Sequence, residues 1–198
     1  MTISGRVFEM NNRMSESRKI MLLEIASRMF ESNGYKNFKI AEFAKIAAVS
    51  MSTVYTLFGS KEELYLMYIQ SKIDDMFSAI DGFETDDPHL RLEHYISVIF
   101  KLAEQGKNIL KDGVENPLFF TALSNEFSES AEKLYYFLTT CFMEINPFLE
   151  RDQAHRLGYA FNGQLNGYLQ YWATVGGDIN ALSDELYESA LYMAKSSK

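Results

Sequence analysis

The sequence predicts an all-α protein of about nine helices, three short ones at the N-terminal end followed by a larger helical body. Three observations carry that expectation. Only 3 Pro and 11 Gly occur in 198 residues, so helices can run long between interruptions. Apolar residues recur at steps of three and four, the spacing of one helix face. No stretch alternates apolar and polar residues with the period of two that a half-buried strand requires. Hydrophobic residues make up 47% and charged residues 23%, which is globular composition.

The elements follow in order. Residues 1–14 are expected to form a leader without a fold of its own. Ser15 or Ser17 can cap a first helix whose face is Ile20, Leu23, Ala26, Met29 and Phe30, ended by Asn33-Gly34. Ile40, Phe43, Ala44 and Ala47 mark a short second helix. Ala47-Ala48-Val49 forms a tight connection, and Ser50 N-caps a third helix in which Val54, Leu57 and Phe58 point inward. Gly59 stops it. Ser60 and Glu63 then stand three residues apart, as a capping box requires. The fourth helix, with Leu64, Met67, Tyr68, Met76, Phe77 and Ile80 on one face, runs to about Asp81. The acidic Asp81–His89 is a connection. A helix from Leu90 to about Glu104 follows, then a looser Gln105–Gly113. Asn116-Pro117 restarts a helix through Asn125, and another covers about Ser128 to Ile145. Asn146-Pro147 breaks the chain; long helices at about Arg151–Val175 and Ala181–Lys195 complete it, separated by Gly176-Gly177. These elements divide the chain into a leader at 1–14, a helix-turn-helix domain at 15–59 and a helical domain at 60–198.

Several functional classes are disfavoured at once. The single cysteine, Cys141, allows no intramolecular disulfide and fits a reducing compartment. Residues 1–14 lack the apolar core of a secretion signal. The longest uncharged stretch, Leu157–Gly177, has 21 residues, but 5 are Gly and only 11 are apolar, too few to face lipid. A cytoplasmic protein with no membrane partner is expected. Net charge is −8, yet residues 1–60 hold 8 Lys+Arg against 5 Asp+Glu while the remainder holds 11 against 22. A basic end on an acidic body is the distribution of a chain that meets nucleic acid at one end.

Helices two and three, joined by a short turn, form a helix-turn-helix candidate. Ala44 and Ala47 allow close packing, Val49 closes the corner, and Met51, Ser52, Thr53, Tyr55 and Thr56 face away from Val54 and Leu57. The N-terminus capped by Ser50 can aim backbone N–H groups at a phosphate. Gly34-Tyr35, Ile40, Phe43-Ala44, Ala47-Ala48-Val49-Ser50, Ser52-Thr53-Val54-Tyr55, Phe58, Ser60-Lys61-Glu62 and Leu64 together resemble the TetR (tetracycline repressor-like) family of transcriptional regulators. The resemblance covers residues 20–64. It implies a dimer that binds double-stranded operator DNA, with Tyr55 and Lys61 on phosphates, and Lys39, Ser50, Met51, Ser52, Thr53 and Thr56 on the same surface. The chain departs from the family run at three places. Lys39 stands where a capping Thr is usual, leaving Asn37 as the alternative cap, and Ala48 and Ser52 replace glycines.

For the body, the resemblance implies a dimer contact and a cavity for a small-molecule effector. Gly163, Gly167 and Tyr171 form an uncharged stripe on the long helix, joined by Leu182 and Leu186 of the last helix, as the expected dimer interface. Met76, Phe77, Phe100, Phe119, Phe120, Phe137, Cys141, Phe161 and Gln164 are the expected cavity residues, with Asn162 and Gln164 an inward polar pair. Such aromatics equally suit an ordinary core. The absence of clustered basic residues there favours an apolar or cationic effector over a phosphorylated one. No cofactor and no catalytic or metal site is expected. Asp86-x-x-His89 and Asp152-x-x-His155 lack the carboxylate set of di-metal bundles. The readings to be distinguished are a ligand-released repressor, a helical sensor or scaffold that keeps the dimer but binds no DNA, and a metal-dependent helical-bundle enzyme.

Overall fold

The computed structural model describes the backbone of residues 3–115 and 128–196 and the side chains of 16–115 and 129–196. Among the described residues every regular element is a helix: α1 (Ile3–Asn37), α2 (Ile40–Ile46), α3 (Met51–Phe58), α4 (Lys61–Asp81), α5 (Pro88–Gln105), α6 (Lys107–Glu115), α7 (Ser128–Ile145), α8 (Arg151–Thr174) and α9 (Ile179–Ser196). The all-α fold is as expected, and these nine helices equal the expected number, although the membership differs. The helix expected at 117–125 lies outside the described residues. α6 forms over a segment expected to be loose. Gly106 ends α5 through its N–H on the Leu102 carbonyl, and the chain restarts as a helix because Ile109 and Asp112, three residues apart, share one buried face.

The chain divides into two compact units, Met1–Gln70 and Ser71–Lys198. The sequence places the boundary at Gly59. It falls later, inside α4, because Leu64, Tyr65 and Tyr68 are buried in the first unit. There the Phe30 ring stacks on Phe38 at 4.0 Å and meets Tyr65 edge-on at 5.1 Å. Phe43 sits 5.7 Å from Phe38 and 6.4 Å from Phe58, linking α1, α2 and α3 through one aromatic chain. α1 begins at Ile3, well before Ser15 and Ser17, so residues 3–14 are helical rather than a foldless leader. No Gly or Pro interrupts residues 6–33, so nothing local halts the helix. Its buried face is Leu22, Ala26, Met29 and Phe30; the last three are as expected, while Leu22 is buried where Leu23, half-buried, was expected, and Ile20 is exposed. Gly34 breaks the helix with φ 75° and ψ 171°, a conformation open to glycine.

The second unit has its own core, built from Ile80, Leu92, Tyr95, Ile96, Phe100 and their neighbours on α7, α8 and α9. α7 and α8 approach closely at Gly158, where a Cβ would lie 3.3 Å from the Leu138 Cβ. Asn146 ties the turn before α8 to the end of α9 by donating to the Ala194 carbonyl at 2.7 Å. A capping box formed by Glu150 and Gln153 starts α8, and Gly176 and Gly177, both at positive φ, follow its end. No helix among the described residues is long and apolar enough to cross a membrane.

Candidate nucleic-acid interface

The turn between α2 and α3 is closed by backbone bonds from Ala47 N–H to the Phe43 carbonyl and from Val49 N–H to the Ala44 carbonyl, at 2.8 and 2.9 Å. Ala48 takes φ 51°, the left-handed conformation that its missing glycine would hold without strain. Ala48→Gly should therefore stabilise the first unit by roughly 0.5–1 kcal/mol, once glycine's greater unfolded freedom is set against the relieved strain. Denaturant midpoints of the two proteins check this; a lower midpoint in the glycine variant would contradict it.

α3 is pinned by Val54 and Phe58, both essentially inaccessible, with Leu57 half-buried beside them. Its opposite side presents Met51, 49% exposed, and Tyr55, 50% exposed, together with exposed Ser52 and Thr56 and half-buried Thr53. Ser50 caps the helix: its Oγ accepts from the Thr53 N–H at 3.0 Å and lies 2.8 Å from both Ser52 Oγ and Thr53 Oγ1. Thr56 donates its hydroxyl to the Ser52 carbonyl, which leaves its methyl group outward. Six of the eight expected residues, Ser50, Met51, Ser52, Thr53, Tyr55 and Thr56, therefore lie at the cap and along α3 away from the buried Val54 and Phe58. Lys39 is the N-cap position of α2 but makes no side-chain cap bond. Asn37 does not replace it, because its amide donates back to the Asn33 carbonyl of α1.

Lys61 opens α4 with its Nζ 4.4 Å from the centre of the Tyr35 ring. The Tyr35 hydroxyl in turn donates to Glu62 Oε1 at 2.8 Å. That hydrogen bond, first among the causes, lowers the Glu62 pKa, while burial chiefly raises the Tyr35 pKa, so carboxylate and phenol keep these roles at neutral pH. Tyr35 thus seats the lysine through its ring and draws the neighbouring carboxylate toward its hydroxyl. The sequence motif contained Tyr35, but nothing in residue spacing shows that a ring 26 positions upstream meets Lys61. Behind it, Ser60 and Glu63 exchange the two bonds of the expected capping box, at 3.0 and 3.2 Å. Gly59 is required in front of that box, since φ is +72° and an added Cβ would overlap the Glu63 carboxylate.

In the second unit the expected cavity residues meet different fates. Phe100, Cys141 and Phe161 are buried in the core, Phe137 and Met76 pack against it, and Phe77 is half-buried. Phe119 and Phe120 lie outside the described residues. Burial pushes the Cys141 thiol up to about 11, opposed by the nearby charge of Arg91. Gln164 exchanges hydrogen bonds with Ser189 at 2.7 and 3.1 Å and so fastens α8 to α9. Asn162 donates to the Tyr135 hydroxyl at 3.0 Å. A pocket of about 230 Å³ lies elsewhere, lined by Glu132, Tyr135, Tyr136, Thr139, Arg151, His155 and Tyr159, none of them an expected cavity residue. Of the expected dimer residues, Gly163, Gly167 and Tyr171 are exposed, and a Cβ at either glycine would meet nothing within 4 Å. Leu186 is corrected, being fully buried in its own chain's core, and Leu182 is half-buried against that same core. Both pack there because α9 turns its apolar face onto α8 and α5. Among the described residues no group of His, Cys, Asp and Glu is arranged to hold a metal ion.

Residues 22–67 match the family described as bacterial regulatory proteins, tetR family. The chain is 36% identical over 77 residues to an uncharacterized HTH-type transcriptional regulator of Bacillus subtilis, YhgD, covering 39% of this chain and 39% of that protein. The matched stretches span 34% to 44% of the length of the curated relatives. A TetR transcription regulator from Haloarcula marismortui superposes with a TM-score of 0.75 at 16% identity, covering 91% of this chain and 98% of that one. AibR, solved with isovaleryl coenzyme A and operator DNA, superposes with a TM-score of 0.61 at 17% identity, covering 87% of this chain and 97% of that one. At these identities the structures speak for the fold, and the family rests on the N-terminal match. Residues 22–67 thus carry the N-terminal segment described as that of the tetR family of bacterial regulatory proteins, and the fold of the whole chain is similar to that of solved TetR regulators.

Proposed function

We propose that the chain is a dimeric DNA-binding transcriptional regulator, a repressor released from a palindromic operator by a small molecule. The observation that carries the reading is α3: a helix anchored by Val54 and Phe58 that turns a polar, capped and accessible face outward within the matched segment. One such helix per protomer would enter successive major grooves of the operator. Tyr55, Lys61 and Lys39 would contact phosphates. The structure of AibR with operator DNA and an acyl coenzyme A supports both halves of the reading by likeness of fold.

Between Ser50 and Phe58 there is no Arg, Lys, Asn or Gln, the residues that make the strongest bidentate base contacts. Specificity would come from Met51, Thr53 and the outward Thr56 methyl against thymine methyls, one hydrogen bond from Ser52, and DNA shape. Selection of bound fragments from the source genome tests the reading directly. Recovery of a palindromic sequence supports it, and recovery of none favours a helical sensor without an operator. Lys61→Ala should weaken binding to all sequences alike and flatten the dependence of log affinity on log salt by about one unit. Fluorescence anisotropy at several salt concentrations reads the slope, and an unchanged slope removes Lys61 from the contacts.

Control would act through α4. One uninterrupted helix supplies Leu64, Tyr65 and Tyr68 to the first core and Ile80 to the second. A ligand that moves the far end of α4 would change the separation of the two α3 helices in the dimer, while the half-sites on DNA stay at fixed spacing. A ~100-fold preference of the ligand for the DNA-incompetent state corresponds to about 2.7 kcal/mol, within ordinary allosteric coupling.

A further inference from the structure

Two buried hydrogen-bond donors on one face of α5 have no partner among the described residues. The Tyr95 hydroxyl is fully buried and has no hydrogen-bond partner among the described residues. The Arg91 Nε, one turn earlier, is also buried without a partner there, although the same guanidinium is ion-paired through its Nη2 with Glu144. Residues four apart on a helix are neighbours on its surface. Buried polar groups are nearly always satisfied, so two unsatisfied ones on adjacent turns call for an explanation.

The guanidinium Nε can only donate, whereas the Tyr95 hydroxyl, whose proton burial holds in place, can donate to the same acceptor. What would satisfy both at once is an oxygen acceptor, whereas an ammonium group offers the Nε no lone pair. The surroundings set the rest of the ligand. Phe137 and Phe161 stand 5.6 and 6.4 Å from the Tyr95 ring, and Cys141 lies buried near Arg91. These walls accept an apolar body.

We propose that the core between α5, α7 and α8 is the effector site, and that it takes a small apolar molecule ending in a carboxylate or carbonyl oxygen held by the Tyr95 hydroxyl and the Arg91 Nε. This rests on the reading of the chain as a ligand-responsive regulator. It narrows the effector class, because it discards the cationic one. The aromatic side chains part to admit the ligand, and the two donors supply its orientation.

The test uses the full chain and three homologous series of probes with the same bodies: straight-chain carboxylates from butanoate to dodecanoate, their methyl esters, and the matching primary amines. Thermal midpoints and titration calorimetry are measured for the wild type, Tyr95→Phe and Arg91→Lys. At least one carboxylate or ester should raise the wild-type midpoint by several degrees, with no effect from the matching amine. Tyr95→Phe should keep or raise the ligand-free midpoint, since it removes a stranded hydroxyl, and should lower affinity for the probe at least tenfold. Arg91→Lys should weaken the carboxylate more than the ester if the ligand is an anion, and both alike if it is a carbonyl compound. Equal binding of amine and carboxylate, unchanged affinity in Tyr95→Phe, or no binding by any member of the series would overturn the proposal. Operator affinity of the same preparations is measured alongside. If it persists while no probe binds, the site is wrong and the regulator reading stands.

Discussion

Gly163→Leu should yield a monomer whose operator affinity falls by two orders of magnitude or more. Gly163 is exposed on α8, and an added Cβ would touch nothing in its own chain, so the protomer should fold as before. A second copy pressed against the stripe of Gly163, Gly167 and Tyr171 would meet a leucine where it had met backbone. A dimer on two half-sites gains the local concentration of the second reading head, which raises apparent affinity by roughly 10²–10⁴ without any new contact. Loss of pairing forfeits that gain while leaving each α3 intact. Sedimentation velocity reports the assembly state and anisotropy the affinity. A variant that stays dimeric would move the interface off this stripe. Gly158→Leu is the contrasting change, because that glycine faces Leu138 within the chain and its replacement should cost folding rather than assembly.

Phe43→Ala should destabilise the first unit by about 3–5 kcal/mol, the usual cost of emptying a buried aromatic site. Phe43 is inaccessible to solvent and lies between the rings of Phe38 and Phe58, so its loss unseats α2 and α3 together. Operator binding should disappear with it. The only tryptophan of the chain, Trp172, belongs to the second core and reports on that unit alone. Helical circular dichroism should therefore lose amplitude at lower temperature while the Trp172 fluorescence midpoint stays within a few degrees of wild type. Joint movement of the two signals would show that the units unfold as one.

The boundaries of most helices were legible because they rest on chemistry local in sequence. Gly34, Gly59 and Gly176 each sit at positive φ where a helix was expected to stop, and Ser50 and Ser60 cap the helices they precede. Local reasoning failed at α6, expected to be loose, where the burial of Ile109 and Asp112 supports a helix that the sequence pattern did not show. Periodicity found the inward face of α9 but could not say whose core Leu186 enters, its own or a partner's. Gln164 and Ser189 lie 25 positions apart, and Tyr35 and Glu62 lie 27 apart. Pairs of that kind follow from the packing of whole helices and leave no mark on spacing. The aromatic body was legible as apolar. That two of its donors have no partner among the described residues was not, because satisfaction is a property of three-dimensional neighbours.

The uncharged stripe on α8 has a consequence for how the two proposed associations respond to ions. No Asp, Glu, Lys or Arg occurs between Arg156 and Asp178, so pairing through this face would rest on shape and apolar contact. Such contacts are insensitive to ionic strength or strengthened by salting-out anions. DNA binding through phosphates weakens steeply as salt rises. Raising salt should then strip the protein from its operator as an intact pair, never as separate subunits. A face without charge also carries no electrostatic code to reject a near relative of similar shape. Mixed pairs with another chain bearing the same small-residue stripe would be opposed only by differences in surface relief.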